Sequence, residues 1–414
     1  METIQQTDVV VLGGGSAGIA AAIAAARKGL QVTLIERNAY LGGKATAAEV
    51  GTVCGLYRFS KNEKSEYIVN GFAKEFAEKL KTDSQTSPHF SSEGVHYLPY
   101  DIEVFKNITL DLINEHKITV YFNAVLEHVH VEDKKLQSVY IIASGNPVTI
   151  RLKALIDCSG DSIISEVAGL PLIKSNNYQA AAQVFTMGGV TEKNESKLGM
   201  IIMKALRLAI DNNILGDFYD RVYIVQGSLK NNIVNLKIGI PMAVTYAPGN
   251  LQELRTVALG FVENLSAFLI KNVDAFKNAC LQHIAPEVGI RIGLRSTGKY
   301  ILQEEDVLSC RKFDDAIANA TWPIEIWEQN RRSRLLYFNL DDYYQIPAGC
   351  LQSNSLDNLF FAGRNISATD GAIASARVMG ICLQTGYAAG CIAAAAASAV
   401  SLTDAVSEIQ NEQL

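Results

Sequence analysis

The sequence predicts an α/β fold: a three-layer core on a parallel sheet, with an α+β substrate domain inserted into it. Three observations carry this expectation. An apolar strand, a glycine turn, an alanine-rich helix and a second strand follow one another over residues 8–36. Two further strand-and-glycine-turn segments come later, at 153–161 and 358–390. Between them, about residues 172–345 mix strand and helix patterns without repeating the opening unit.

Each part of the opening unit has a physical reason. Residues 8–12, "DVVVL", are a short apolar run of the kind buried on both faces of a parallel sheet. Gly13-x-Gly15-x-x-Gly18 follows directly. Gly13 allows the tight turn, Gly15 lets the backbone approach a pyrophosphate, and Gly18 lets helix and strand pack closely. Amides at the helix N-terminus, at Ser16 and Ala17, hold the phosphates. Ala22, Ala26 and the C-capping Gly29 keep "SAGIAAAIAAARKG" slim against the sheet. "QVTLIER" then gives a second strand ending at Glu36 and Arg37, where Glu36 can accept from ribose hydroxyls and disfavours a 2′-phosphate. Strand, turn, helix, strand and acid in register read as a Rossmann-like dinucleotide unit. The plain alternative is a glycine-rich turn of an α/β protein.

Composition narrows the class. The chain has 414 residues, 48% of them apolar, enough for a large core and long enough for two interleaved domains. The net charge of −6 favours neither nucleic acid nor an anionic membrane surface. The tightest basic cluster, Arg331, Arg332 and Arg334, is too short for a binding tract. Seven cysteines and six histidines are dispersed without metal-ligand spacing, so no metal is expected and a reduced cytoplasm fits. Glu2 and Asp8 stand where a signal peptide would be basic, and none is expected. The apolar stretches 9–26 and 388–400 are broken by glycine or too short to span a bilayer, and read as buried core.

The choice of dinucleotide rests on segments beyond the first motif. Gly42-Gly43 follows Glu36 in "ERNAYLGGKAT". "GGGSAG…ER…GG" resembles the glutathione-reductase-type flavoprotein superfamily, in which this Gly-Gly turn lies against FAD. The resemblance implies FAD contacts at Gly42, Gly43, Lys44, Ala45 and Thr46, with Val125 further along. "ALIDCSGD" (154–161) is similar to the Ala-Thr-Gly-Asp segment of such proteins and adds Ser159, Gly160 and Asp161. "NLFFAGRNISATDGAIASARVMGICLQTGYAAG" (358–390) resembles their second FAD contact and adds Gly363, Arg364, Asp370, Ala372 and Ile373. There a long helix opening at Asp370-Gly371 would point its positive end at the flavin and favour a reduced, anionic ring. With 293–327 and 346–351, the chain is similar to a family of FAD-dependent oxidoreductases over about residues 7–170 and 286–395. It departs from that family at Asp370, where a histidine is expected, and at Ile292, where a glutamate is expected. A histidine-based acid/base mechanism therefore does not carry over. No second Gly-x-Gly-x-x-Gly unit follows a strand, so electrons are expected from the substrate or from transient nicotinamide docking.

The FAD domain is then discontinuous: 1–171, interrupted by a substrate domain at 172–345, resumed at 346–400 and followed by a helical or frayed tail at 401–414. In its first part, "SKNEKSE" and "KTDSQTSPHFSSEG" read as surface loops and 101–116 as a helix. "ITVYFNAVLEHVHVED" and "LQSVYIIASG" alternate like antiparallel strands.

Candidate chemistry is sparser. Flavin carries the redox step, and the protein supplies binding, orientation and electrostatics. Arg291 and Arg295, four apart, could clamp a carboxylate or pair with acids such as "EED" (304–306). Tyr344, beside Tyr343, could donate to substrate or simply pack. Asp370 is an N-cap by default and a base or orienter above the flavin on the sharper reading. Arg364 and Arg377 could neutralise pyrophosphate or flavin charge or form internal ion pairs. Cys54 and "TWPIEIW" (321–327) read as packing, the latter lacking the Trp-x-Trp-x-Ile-Pro order of flavin halogenases. The expected function is dehydrogenation of a small organic substrate by hydride transfer to flavin N5. The alternatives are an NAD(P)H-using reductase or monooxygenase, a non-catalytic binding module, and a subunit of an electron-transfer complex. A small-molecule substrate is expected, with neither nucleic acid nor membrane as partner; a homo-oligomer or an electron-transfer partner stays open.

Overall fold

The computed structural model describes residues 3–175, 178–328 and 333–414. Glu2, Arg331 and Arg332, noted above, lie outside the described residues. Five parallel strands form the central sheet in the order Leu359–Phe361, Ala154–Asp157, Val9–Leu12, Val32–Ile35 and Thr119–Tyr121. Alternate side chains divide between two layers, as the pleat requires. Val9 and Val11 join the core under the helices, and Val10 and Leu12 join Leu126, Val139 and Ile141 on the opposite face. Ile156 and Leu155 split the same way, as do Phe360 and Phe361.

The layer on that opposite face is a four-stranded sheet of Thr3–Gln6, Asn146–Arg151, Lys135–Ala143 and Ala124–Glu132. The alternating segment at 118–133 does not enter it whole. Asn123, at φ 49°, breaks the run, and Thr119–Tyr121 becomes the edge of the parallel sheet instead. Asp101 opens the expected helix, Ile102–Glu115, its carboxylate accepting from Glu103 N and Val104 N at 2.9 and 3.1 Å. "KTDSQTSPHFSSEG" is only partly loop. Its first residues end the helix Gly71–Asp83, which buries Phe72, Phe76 and Leu80, and His89–Phe90 form a short strand.

The third layer is helical. Ser16–Arg27 packs along Met379–Ala397. The two approach at backbone distance, since a Cβ on Gly386 would overlap the Ala17 carbonyl and one on Gly390 the Ala21 carbonyl. Among the described residues, Met379–Ala397 is the one helix long and apolar enough to cross a membrane, yet 89% of its apolar window is buried inside the fold. Apolar on all sides, it is a core helix. The long helix expected to open at Asp370 is two helices, Asp370–Ala376 and Met379–Ala397, parted where Val378 is extended at φ −73°, ψ 153°. The step turns Arg377 toward Glu325 and lays Gly380 on the backbone of Cys54 and Gly55. Thr369, rather than Asp370, is the N-cap, accepting from Ala372 N.

Residues between the two parts of this core build a second sheet. Its antiparallel strands run Val222–Ile224, Ile233–Gly239, Ala182–Gly188, Cys280–Ile284, with helices Glu195–Asp211 and Asn250–Asn272 completing a separate core. Ile292, Leu302, Ile317 and Ile346 pack into the first core, as do Val406 and Ile409 of the last helix, Leu402–Gln413.

Replacing Gly386 with Ala tests the helix contact. Intrinsic propensity alone would stabilise the helix by about 1 kcal/mol. Overlap with the Ala17 carbonyl reverses the sign, and a net loss of about 1–3 kcal/mol is expected, read as a lowered Tm. A raised Tm would mean that the helices stand further apart.

Candidate active site

The strands of the central sheet deliver the site from their carboxyl ends, where open α/β sheets bind ligands. Leu12 leads into Gly13, Ile35 into Glu36, Asp157 into Ser159 and Gly160, and Phe361 into Gly363. Gly13 has φ 98°, and a Cβ there would lie 2.6 Å from the Cys158 carbonyl oxygen. A Cβ on Gly18 would overlap the Gly13 carbonyl. Gly15 differs: its Cβ would meet only Gly43 Cα, at 3.8 Å. Space therefore lies in front of Gly15, bordered by the first amides of Ser16–Arg27, which have no partner within the helix.

The Gly42-Gly43 turn forms the other wall. Gly42 N donates to Gly14 O at 2.8 Å, and a Cβ on Gly43 would lie 2.9 Å from Gly15 Cα. Behind it, Thr46 Oγ1 donates to Leu41 O at 2.7 Å, and the buried Tyr100 hydroxyl donates to Ala45 O at 2.8 Å. Glu36 is 4% exposed and accepts from Gly14 N at 2.7 Å and Asn38 N at 2.8 Å. Burial pushes its carboxyl up, and those two amides pull it back. Val125 stands exposed one residue beyond Ala124, whose amide donates to Glu36 O at 3.0 Å.

A salt-bridged knot ties this wall to the later chain. Glu287 accepts from Lys44 at 2.6 Å, Arg37 at 2.8 Å and Asn38 at 3.1 Å. Burial pushes the Glu287 carboxyl up, but Lys44 and Arg37 outweigh it and hold it low. Burial pushes the Lys44 amine down, against the pull of Glu287. On the third side, the fully buried Asp157 organises the turn, accepting from Ser159 N, Ser159 Oγ and Ile164 N at 2.9, 2.6 and 2.9 Å. Sequence reasoning passed over Asp157, although an acid closing an apolar strand was its signal. Gly160 lies under the Arg364 guanidinium, which donates to Ile290 O at 3.2 Å, and Asp161 packs on Gly293. A Cβ on Gly363 would lie 2.9 Å from Ala17 Cβ, so the late segment meets the opening turn. Ala372 and Ile373 are fully buried in the helix that follows.

Of the proposed catalytic side chains, Arg295 and Asp370 meet, while Arg291 and Tyr344 have other partners. Arg295 is 0% exposed and donates to Ala368 O and Ser175 Oγ at 2.9 Å and Gly293 O at 3.2 Å, while it pairs with Asp370. Asp370 also accepts from Ser175 Oγ at 2.7 Å and lines a surface cleft with Lys174, Glu304 and Glu305. Arg291 is parted from Arg295: it donates to Ala180 O and lies over the Trp327 ring at 4.1 Å. Tyr344 is fully buried, its hydroxyl 2.7 Å from Ser375 Oγ, and burial raises its pKa. Burial also pushes the Cys54 thiol up to about 12, which leaves it protonated and inert at neutral pH. Arg377 faces Glu325 at 3.4 Å and Gln179 at 3.3 Å. Gln179, Lys237 and Glu325 were missed in the sequence; a lysine inside "IVNLKIG" and an acid inside "WPIEIW" were the available signals.

The cradle suits FAD. A gap one Cβ would fill lies at Gly15, helix amides border it, and a buried acid stands at the end of the second strand. The model of the family described as FAD dependent oxidoreductase matches residues 8–413. A curated relative, digeranylgeranylglycerophospholipid reductase 1 of Methanococcoides burtonii, is 27% identical over 186 residues, which span 44% of this chain and 45% of that protein. The match thus covers less than half of the relative's length. The crystal structure of a geranylgeranyl bacteriochlorophyll reductase-like protein from Thermoplasma acidophilum is similar at 16% identity, with 99% of this chain and 83% of that one covered and a TM-score of 0.49. OxyS anhydrotetracycline hydroxylase from Streptomyces rimosus is similar in fold at 10% identity, with 98% and 65% covered and a TM-score of 0.50.

Gly15→Val is expected to fold with an unchanged far-ultraviolet spectrum, because its side chain meets no backbone closer than 3.8 Å at Cβ. It should hold less than about a tenth of the wild-type FAD, since the valine occupies the pyrophosphate's approach. Stoichiometric flavin in the purified variant would contradict the assignment of residues 13–18.

Proposed function

The chain belongs to the FAD dependent oxidoreductase family, and from its cradle we propose a glutathione-reductase-type flavoprotein that dehydrogenates a small organic substrate. What supports this most is the convergence of Gly13–Gly18, Gly42-Gly43, Gly160 and Gly363 at one edge of one parallel sheet. When bound, FAD supplies a two-electron acceptor able to take a hydride at N5. The protein's own work is to hold and shield it. Amides after Gly15 take the pyrophosphate, the Glu36 carboxylate takes ribose hydroxyls, and Arg364 over Gly160 adds positive charge. Arg295, Asp370 and Tyr344 act by positioning. Their polar groups are spent on Ser175, Ala368 and Ser375, and they fix the late segment against the sheet.

Electrons then arrive from the substrate itself. Among the described residues, the remaining sheets are antiparallel or mixed, and none carries a second glycine-turn βαβ unit for a nicotinamide. A second reading, a reductase or monooxygenase fed by NAD(P)H, draws support from the reductase among the relatives. The seven unpaired cysteines suit a reducing, cytoplasmic setting.

Anaerobic titration of the flavin-loaded protein separates the two. The proposed function predicts loss of the oxidised flavin spectrum with a member of a panel of amines, alcohols and organic acids, and none with NADH or NADPH. Rapid bleaching by NADPH would overturn it in favour of the second reading.

A further inference from the structure

Beside the cradle, three cationic side chains face one carboxylate. Arg377 lies 3.4 Å from Glu325, and Arg291 and Lys237 both lie over the Trp327 ring, at 4.1 and 5.2 Å from its centroid. Lys237 Nζ makes no hydrogen bond or ion pair with the described residues. Arg377 Nε is buried and without a partner among them. Among the described residues beside the cluster, Cys54 is pushed up to about 12 and adds no negative charge at neutral pH, and Tyr223 sets its edge against Trp327. Arg364 and the protonated Cys382 approach from the Arg377 side. Among the described contacts of the cluster, three cations thus stand against the single carboxylate of Glu325.

All four side chains are half-buried, and gathering like charges partly out of water is costly unless a counter-charge completes the set. Folds keep such costs where function needs them. Position favours function here. Ile290 O accepts from Arg364 over Gly160, and the very next side chain, Arg291, enters the cluster. Arg377 ends the helix that Asp370 begins. Lys237 comes from the middle of the antiparallel sheet, so the cluster lies where the second core meets the FAD cradle. Two planar guanidinium forks and an ammonium match a carboxylate better than a neutral group.

We propose that Lys237, Arg291 and Arg377 form the substrate's anion subsite, and that the molecule oxidised here is a small organic acid bound through its carboxylate. The inference rests on the reading of the glycine cradle as the FAD site and names the substrate class for it. The subsite has a pH signature. Burial and the neighbouring Arg291 bring Lys237 down to about 8, and burial with Arg377 brings Arg291 down to about 9. Both are charged at neutral pH. The lysine loses its charge first as pH rises through about 8, and affinity for the acid falls with it.

The test uses the FAD-loaded protein with acetate, succinate and benzoate as probes and benzamide as the neutral control, read by titration calorimetry and by Tm. At least one acid is expected to bind and raise Tm, benzamide is not, and the acid's affinity should drop about tenfold or more between neutral pH and a pH well above the value of Lys237. Lys237→Met should keep its flavin, lose about tenfold or more in acid affinity, and show a raised Tm without acid because a like charge is gone. Flavin-loaded protein that binds no acid, or binds benzoate and benzamide alike, or binds acid equally well as Lys237→Met, overturns the subsite alone. Protein that takes up no FAD overturns the cradle and the substrate claim together.

Discussion

The approach of one helix to three distant stretches of backbone constrains everything else in this structure. Ser16–Arg27 meets the Gly363 segment at Ala17 and the helix Met379–Ala397 at Ala17 and Ala21, while the turn before it sits on Cys158. Each contact leaves no room for a Cβ on one partner. Close backbone packing of this kind leaves little slack, so residues hundreds of positions apart are held in fixed relation. The ligand cradle is a by-product of that packing. Where the chain is pressed together, at Gly13 and Gly18, glycine serves the fold; at Gly15 it is held open, and that is the space the proposed cofactor would take.

Charge divides the same way. Arg295 is fully buried and fully used, with three hydrogen bonds and a carboxylate, and belongs to the scaffold. The knot of Glu287 with Lys44 and Arg37 is balanced by proximity and ties the second sheet's chain to the Gly-Gly turn. Arg291, Arg377 and Lys237 are different, because one carboxylate cannot satisfy three cations. All three are half-buried, and charges held partly out of water are ordinarily paired. The exception points to something the site is built to receive.

Much of the cofactor half was legible in the sequence, because its constraints are local and repeated at short spacing. Strand, glycines, helix and acid at 8–36 leave little freedom, and the returns at 154–161 and 358–363 land on the same sheet. Thr119–Tyr121 was misread because three alternating residues fit either kind of strand, and only the αL turn at Asn123 separates them. The break at Arg377–Val378 was invisible because small residues run through it on both sides. Arg291 and Arg295 looked like a clamp at spacing four, but their partners, Trp327 and Asp370, lie far along the chain. Lys237 and Glu325 were hidden for the same reason: one charge in an apolar strand acquires meaning only when tertiary folding brings the others beside it.

The most direct measurement of the central claim is a crystal structure of the protein grown with FAD. The account predicts one FAD per chain, its pyrophosphate against the amides after Gly15, its ribose at Glu36, and its ring reached by both the Gly42-Gly43 turn and the 363–373 segment. Density for FAD that touches only one of those two segments, or that lies elsewhere on the chain, would contradict it.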